Sequence, residues 1–185
     1  MSTYSVLDGS GSLKYVYGLG SGTSGDPYRL ASNDYADTLY EAGKLFMHND
    51  RHSIANNATL YYLIKTPATP TVTLCELSIS VSASPINFDL YEDAIVSANG
   101  TNDNAFNTNR VIGTAPATQM YNAPTVTSTG TNLLSDMVNG DKTVGGNNVN
   151  EFKIRLKPSS NYLIAMLNSS GVTSVITPCI KFMET

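Results

Sequence analysis

Apolar residues recur at every second position through most of this chain, and that period argues against a helical fold. Ile86, Phe88 and Leu90 alternate with Asn87, Asp89 and Tyr91. Phe152, Ile154 and Leu156 alternate with Lys153, Arg155 and Lys157. Cys75, Leu77, Ile79 and Val81 alternate with Glu76, Ser78 and Ser80. Side chains two apart share one face of a strand, so each run predicts a strand with one face buried. Two runs are apolar on both faces. In residues 58–66, Leu60, Tyr62 and Ile64 alternate with Tyr61, Leu63 and Lys65, and residues 161–168 behave likewise. These two strands are expected to be covered on both sides. Further short strands are read at 13–17, 44–47, 111–113, 119–122 and 174–183, and 133–138 is another apolar piece.

The punctuation between these runs supports the same class. Thr66-Pro67-Ala68-Thr69-Pro70 is a bend, Pro116 and Pro124 keep their neighbours at edges or corners, and Gly171 marks a turn. Residues 139–150 read as a turn-rich excursion. Glu92-Asp93 reads as a hinge, and Asn99-Gly100-Thr101 as a turn by which the chain leaves the sheet, because Asn and Gly tolerate positive φ. The best helix candidate, 33–42, has Asn33 or Asp34 as a cap and Gly43 as its end. Many short strands without α/β alternation predict an all-β fold, a single β-sandwich with jelly-roll topology as the preferred form. The expected inward set is Leu74, Leu77, Ile79, Val81, Phe88, Leu90, Phe152, Ile154, Leu156, Ile164 and Ile176. A chain of 185 residues favours one domain. The Gly/Ser-rich stretch 1–26 is read as an arm, and 27–185 as the sandwich.

Composition narrows the functions available. Charged residues are only 14% and the formal net charge is −4, so the basic footprint of a nucleic-acid binder is absent. No apolar run is long enough for a membrane helix, and the N-terminal residues lack the pattern of a secretory signal. Synthesis in a cytoplasm is expected, where Cys75 and Cys179 stay as reduced thiols; a disulfide between them is the alternative.

The motifs that suggest chemistry are incomplete. Gly20 to Asp26 resembles a phosphate-cradling loop but lacks the Gly-Lys-Ser/Thr ending. His48 and His52 lie four apart, a metal-ligating spacing on a helix; here Asn49-Asp50 suggests a turn that separates them. Asp103 with Asn102 and Asn104 offers oxygen ligands for calcium but one formal charge. Glu92 and Asp93 are adjacent, so in a strand they point to opposite faces and cannot flank one bond as a glycosidase pair does. The sequence therefore predicts no enzyme, no cofactor and no metal. Three Asn-x-Ser/Thr sequons, at Asn57, Asn99 and Asn168, are chance matches on this reading.

Between Ile86 and Arg110 the chain passes through Tyr91-Glu92, Ala98-Asn99-Gly100-Thr101 and Asn107-Thr108-Asn109-Arg110. This succession resembles a stretch of tailed-phage virion proteins of the head-decoration type. Pro124-Thr125-Val126-Thr127, Gly130-Thr131, Leu133-Leu134, Gly145-Gly146 before Glu151-Phe152, Tyr162-Leu163-Ile164 and Asn168 follow in the order associated with such proteins. The resemblance covers about residues 71–184. Tyr40-Glu41-Ala42-Gly43 stands where relatives carry a His-containing segment, so no role for those histidines is carried over. The resemblance implies a phage decoration or cement protein on the capsid surface, made in the bacterial cytoplasm. It would bind the major capsid protein of the assembled shell and stabilise it against internal pressure. The alternative is a glycan- or host-binding module of a fibre or tail. No nucleic-acid or membrane partner is expected, and a homotrimer is favoured over a dimer. Tyr15, Tyr17 and Tyr28 in the arm, with Asn107, Asn109 and Arg110 in the Asn-rich loop, are the expected capsid or subunit contacts.

Overall fold

A computed structural model describes residues 3–7, 13–19, 29–31, 39–139 and 146–185, with the side chains of the first three segments and of 147–152 left outside the description. The chain divides into two compact units, Met1–Thr38 and Leu39–Thr185. In the first, β1 (Thr3–Leu7), β2 (Leu13–Leu19) and β3 (Arg29–Ala31) form an antiparallel sheet in that order. The strand expected at 13–17 is β2. The arm boundary expected at Asp26 falls in the connection between β2 and β3.

The second unit continues with β4 (Leu45–Asn49), β5 (His52–Ile54), β6 (Thr59–Lys65), β7 (Val72–Val81), β8 (Ile86–Glu92), β9 (Ile95–Ala98) and β10 (Thr101–Asn102). Then come β11 (Phe106–Asn107), β12 (Gln119–Asn122), β13 (Thr125–Ser128), β14 (Thr131–Val138), β15 (Gly146–Arg155), β16 (Asn161–Asn168) and β17 (Ser174–Glu184). Sheet one has the order β10-β12-β6-β16-β8-β14, and sheet two the order β11-β4-β17-β7-β15, with β5 also paired to β17. The protein is all-β; among the described residues, helix is confined to one turn at 39–41, which Gly43 ends at φ 65°.

One apolar core joins both sheets. Tyr62, Ile64, Phe88, Leu90, Tyr162 and Ile164 of sheet one pack with Leu74, Leu77, Ile79, Ile176, Ile180 and Phe182 of sheet two. The expected inward set holds wherever side chains are described: all are buried except Ile154, which packs against the core half-buried. Phe152 lies outside the described side chains. Both cysteines are free thiols, half-buried, and burial pushes each thiol pKa up.

Three local readings are corrected. Cys75 does not face inward; Leu74 does, because β7 carries a bulge where Cys75 and Glu76 interrupt the alternation. Residues 111–113 are not a strand but a turn, since the Asn109 side-chain carbonyl accepts hydrogen bonds from the Val111 and Ile112 amides. The excursion expected over 139–150 is shorter, for β15 begins at Gly146 and pairs with β7 from Val81 onward. There the waiting ladder overrides weak β-propensity.

Sheet one contains a local two-fold relation. Tyr62-Leu63-Ile64 of β6 and Tyr162-Leu163-Ile164 of β16 pair antiparallel, with Leu63 opposite Leu163. Moving outward from that pair, Tyr121 flanks Leu63 and Tyr91 flanks Leu163, then Asn102 and Asn132 close the row. The row therefore reads Asn-Tyr-Leu-Leu-Tyr-Asn from either edge. The segments that carry it, 91–102 and 121–132, match at Tyr, Val, Gly, Thr and Asn thirty positions apart. Each leaves its strand through a residue with positive φ, Asp93 at 60° and Ala123 at 53°. Each then forms one strand of the ribbon β9–β13. Each re-enters the sheet after a glycine, Gly100 at φ 90° or Gly130 at φ 84°. The Asn99-Gly100-Thr101 turn thus returns the chain to the sheet, and Asp93 is where it left.

The ribbon has to span the sheet, because β9 connects β8 to β10 and β13 connects β12 to β14, across β6 and β16. It runs over the face opposite the core, where Leu63 and Leu163 are fully buried. Only Val96 and Val126, a cross-strand pair, are half-buried in the ribbon itself.

Candidate functional site: a histidine–aspartate cluster between the sheet edges

The expected contact residues occupy different environments. Tyr15 and Tyr17 lie on β2, and Tyr28 lies outside the described residues. Asn107 and Asn109 are buried. Asn107 Nδ2 donates to the Gly43 carbonyl at 2.8 Å and the Thr114 carbonyl at 3.2 Å, while its Oδ1 accepts from the Asn109 amide. Asn109 Nδ2 donates to the Tyr40 carbonyl at 3.3 Å. These two side chains clamp the loop onto the 40–43 turn, and their polar groups are spent there. Arg110 stays exposed, its guanidinium carbon 5.7 Å from the centre of the Phe106 ring.

Glu92 and Asp93 do come together, because the positive φ of Asp93 takes it out of the strand alternation. Lys157 Nζ lies 2.7 Å from Glu92 and 2.9 Å from Asp93, and Tyr162 Oη donates to Glu92 at 2.7 Å. The Lys157 ammonium and then the Tyr162 hydroxyl hold the Glu92 carboxyl below its ordinary value of 4.5. A depressed carboxyl contributes stability that is complete above the unfolded pKa and lost as pH falls through the folded one. The wild type should therefore lose more of its thermal midpoint between about pH 5 and pH 3 than Lys157→Met does. Equal losses by calorimetry would remove Lys157 as the cause.

At the other end of the two-fold relation lies a second polar cluster. His48 is on β4 and His52 on β5, and both strands pair with β17, opposite Ile180 and Ile176. Asp50-Arg51 interrupts this edge without reversing it. An even spacing keeps both imidazoles on the inward face, which corrects the expectation that a turn separates them. Both rings stand edge-on to Tyr62, at 5.1 and 5.7 Å between centres. From sheet one come Asp103, just past β10, and Asn122, the last residue of β12.

The contacts are close. His52 Nε2 lies 2.8 Å from Asp50 Oδ2, 2.6 Å from Tyr62 Oη and 3.3 Å from Asn122 Nδ2. His48 Nε2 lies 3.6 Å from Asp103 Oδ2, beyond hydrogen-bond range. Burial lowers the His48 pKa below its ordinary 6.5, against the opposing pull of Asp103 and Asp50. Burial and the same two carboxylates raise the Tyr62 pKa. Asn102 and Asn104 do not complete an oxygen cage around Asp103. Asn102 pairs with Tyr121 in the ladder, and Asn104 Oδ1 accepts from the Met120 amide.

Nothing in the sequence showed that Asp50 and Asp103 converge, since they belong to different sheets. The even spacing of His48 and His52 was the available signal. Compared with known proteins, the chain matches no family model and no curated protein.

Proposed function

We propose that this protein is a structural component of a tailed-phage shell, a decoration or cement protein that binds the assembled capsid and stabilises it. Binding only the assembled form stabilises that form by mass action. The observation that carries the reading is the division into a sandwich body and a separate small β unit, Met1–Thr38. Such a unit can dock on a neighbouring subunit while the body keeps its own core. The resemblance over residues 71–184 supplies the family. We also infer a jelly roll from the eight long strands. Their order is β4-β17-β7-β15 in one sheet and β6-β16-β8-β14 in the other, as two interlocked Greek keys produce.

With Asn107 and Asn109 engaged inside the loop, the contact role passes to the N-terminal unit and Arg110. Its planar fork suits a carboxylate or backbone carbonyls on the shell. A homotrimer is the proposed assembly, in preference to a dimer. The second reading, glycan binding, draws on Tyr61, Tyr91 and Tyr121, all half-buried in the outer rows of sheet one.

The test uses particles that lack the protein, to which wild type, a deletion of residues 1–38 and Arg110→Ala are added separately. The deletion should bind fewer copies and leave heads more fragile to heat, while circular dichroism shows the sandwich still folded. Wild-type binding by both variants would remove the arm-and-loop assignment. Hundreds of copies of wild type per particle would fit a shell role, and a few dozen or fewer a fibre or tail part.

A further inference from the structure

We propose that Asp50, His52 and Asp103, with His48 as the fourth donor, bind one divalent transition-metal cation, zinc by the character of the donors, and that this cation ties the two sheet edges together. Donor atoms of Asp50, His52 and Asp103 all lie within 4.8 Å of one another. His48 Nε2 reaches the same Asp103 carboxylate at 3.6 Å. Zinc bonds of about 2.0–2.1 Å in a tetrahedron place neighbouring donors about 3.3 Å apart, so Asp50, His52 and Asp103 have to close further on the cation, and His48, which stands outside that group and reaches Asp103 alone, has to swing in to join them. Two imidazole nitrogens and two carboxylate oxygens match zinc and balance its charge. Calcium prefers six or more oxygens, more than the two carboxylates and their neighbours present here.

A second observation points to the same place independently of the donor types. Among the described residues, four buried side-chain polar atoms lack a hydrogen-bond partner, and three of them are His48 Nε2, Asp103 Oδ2 and Asn122 Oδ1. His48 is only 3% exposed, and its unpartnered nitrogen faces the Asp103 carboxylate. Folded interiors avoid such atoms, so three within one cluster mark a site prepared for another group.

His52 adds a conflict of its own. Its Nε2 has an acidic oxygen, a phenol and an amide nitrogen within 3.3 Å, yet a ring nitrogen carries one proton or one lone pair. A cation on that lone pair resolves the conflict. Asp50 becomes a fellow ligand, and the Tyr62 hydroxyl and Asn122 amide donate to the ligating carboxylates.

The two-fold relation in sheet one supplies a comparison within the molecule. At the Tyr162 pole, two carboxylates hold the Lys157 ammonium, and the tyrosine hydroxyl donates to one of them, Glu92. At the Tyr62 pole, two carboxylates gather by the corresponding hydroxyl, and the nitrogens beside them belong to the histidines, His48 at 3.6 Å from Asp103 and His52 at 2.8 Å from Asp50. Where one pole holds its cation on a lysine, the other holds donors for a free one. Asp103 follows β10, the edge strand of sheet one, and His52 lies on β5 at the margin of sheet two, so the metal would cross-link one side of the sandwich.

The test is calorimetric titration of chelator-stripped, full-length protein with zinc chloride. One site per chain is expected, with a thermal midpoint that rises on adding zinc and falls back with EDTA. Cobalt(II) in its place should give the intense visible band of a tetrahedral site. His52→Gln and Asp103→Asn should each weaken zinc binding at least about 10-fold. Glu92→Gln, at the lysine pole, should leave zinc affinity unchanged. Absence of saturable binding, wild-type zinc affinity in both ligand variants, or a midpoint raised by calcium and not by zinc would each overturn the proposal. If a ligand variant fails to fold, the wild-type cobalt spectrum decides, and a weak octahedral band counts against it.

Discussion

Gly130→Ala and Gly100→Ala should each destabilise the fold by about 2–5 kcal/mol, among the largest single-residue effects in this chain. Both positions have strongly positive φ, 84° and 90°. A Cβ at Gly130 would collide with the Glu92 carbonyl oxygen and sit 2.9 Å from the Asp93 carbonyl carbon. A Cβ at Gly100 would collide with the Asn122 carbonyl oxygen and sit 2.7 Å from the Ala123 carbonyl carbon. The obstacles are backbone atoms, which cannot rotate away as a side chain does. The two substitutions meet equivalent atoms across the local two-fold, so their costs should be similar. Gly113→Ala is the control. It has φ 63°, but the nearest atom to its added Cβ is 3.8 Å away. It should cost about 1 kcal/mol, the backbone strain alone. Denaturant midpoints of the three variants measure the difference, and equal costs at all three would refute the collision argument.

Leu77→Ala should cost about 2–5 kcal/mol, through lost burial and the cavity left behind. Leu77 is fully buried in the centre of sheet two, opposite Ile180 on β17 and Asn150 on β15. For a chain of this size the loss corresponds to a midpoint lower by about 4–20 °C. Val172→Ala, at a site 45% exposed, should change stability by no more than about 0.5 kcal/mol. A Leu77→Ala effect as small as that would mean the core relaxes into the space.

The parts legible in the sequence are those governed by period two. Ile86, Phe88 and Leu90 announced β8, and the doubly apolar 161–168 announced a strand with both faces covered, which is β16. The readings that failed depend on partners distant in the chain. Cys75 slipped to the wrong face because of a bulge defined by where β17 and β15 meet β7. Residues 111–113 looked like a strand until the Asn109 side chain captured their amides. The repeat between 91–102 and 121–132 was present in the letters, but its halves share few residues, and only Gly100 was read as a turn, without Gly130 as its counterpart. The Asp50–Asp103 approach was not legible at all, since it needs the edges of two sheets to be placed side by side.

The ribbon that crosses sheet one has a consequence for how the molecule comes apart. Edge strands normally fray first and alone, and frayed edges invite pairing with other chains. Here the two outermost strands, β10 and β14, are each spliced to a ribbon strand whose other end emerges on the far side of the sheet. Loosening either edge therefore tugs on a strap anchored at the opposite one. Opening becomes a concerted event across all six strands, and the sheet has no margin that peels by itself.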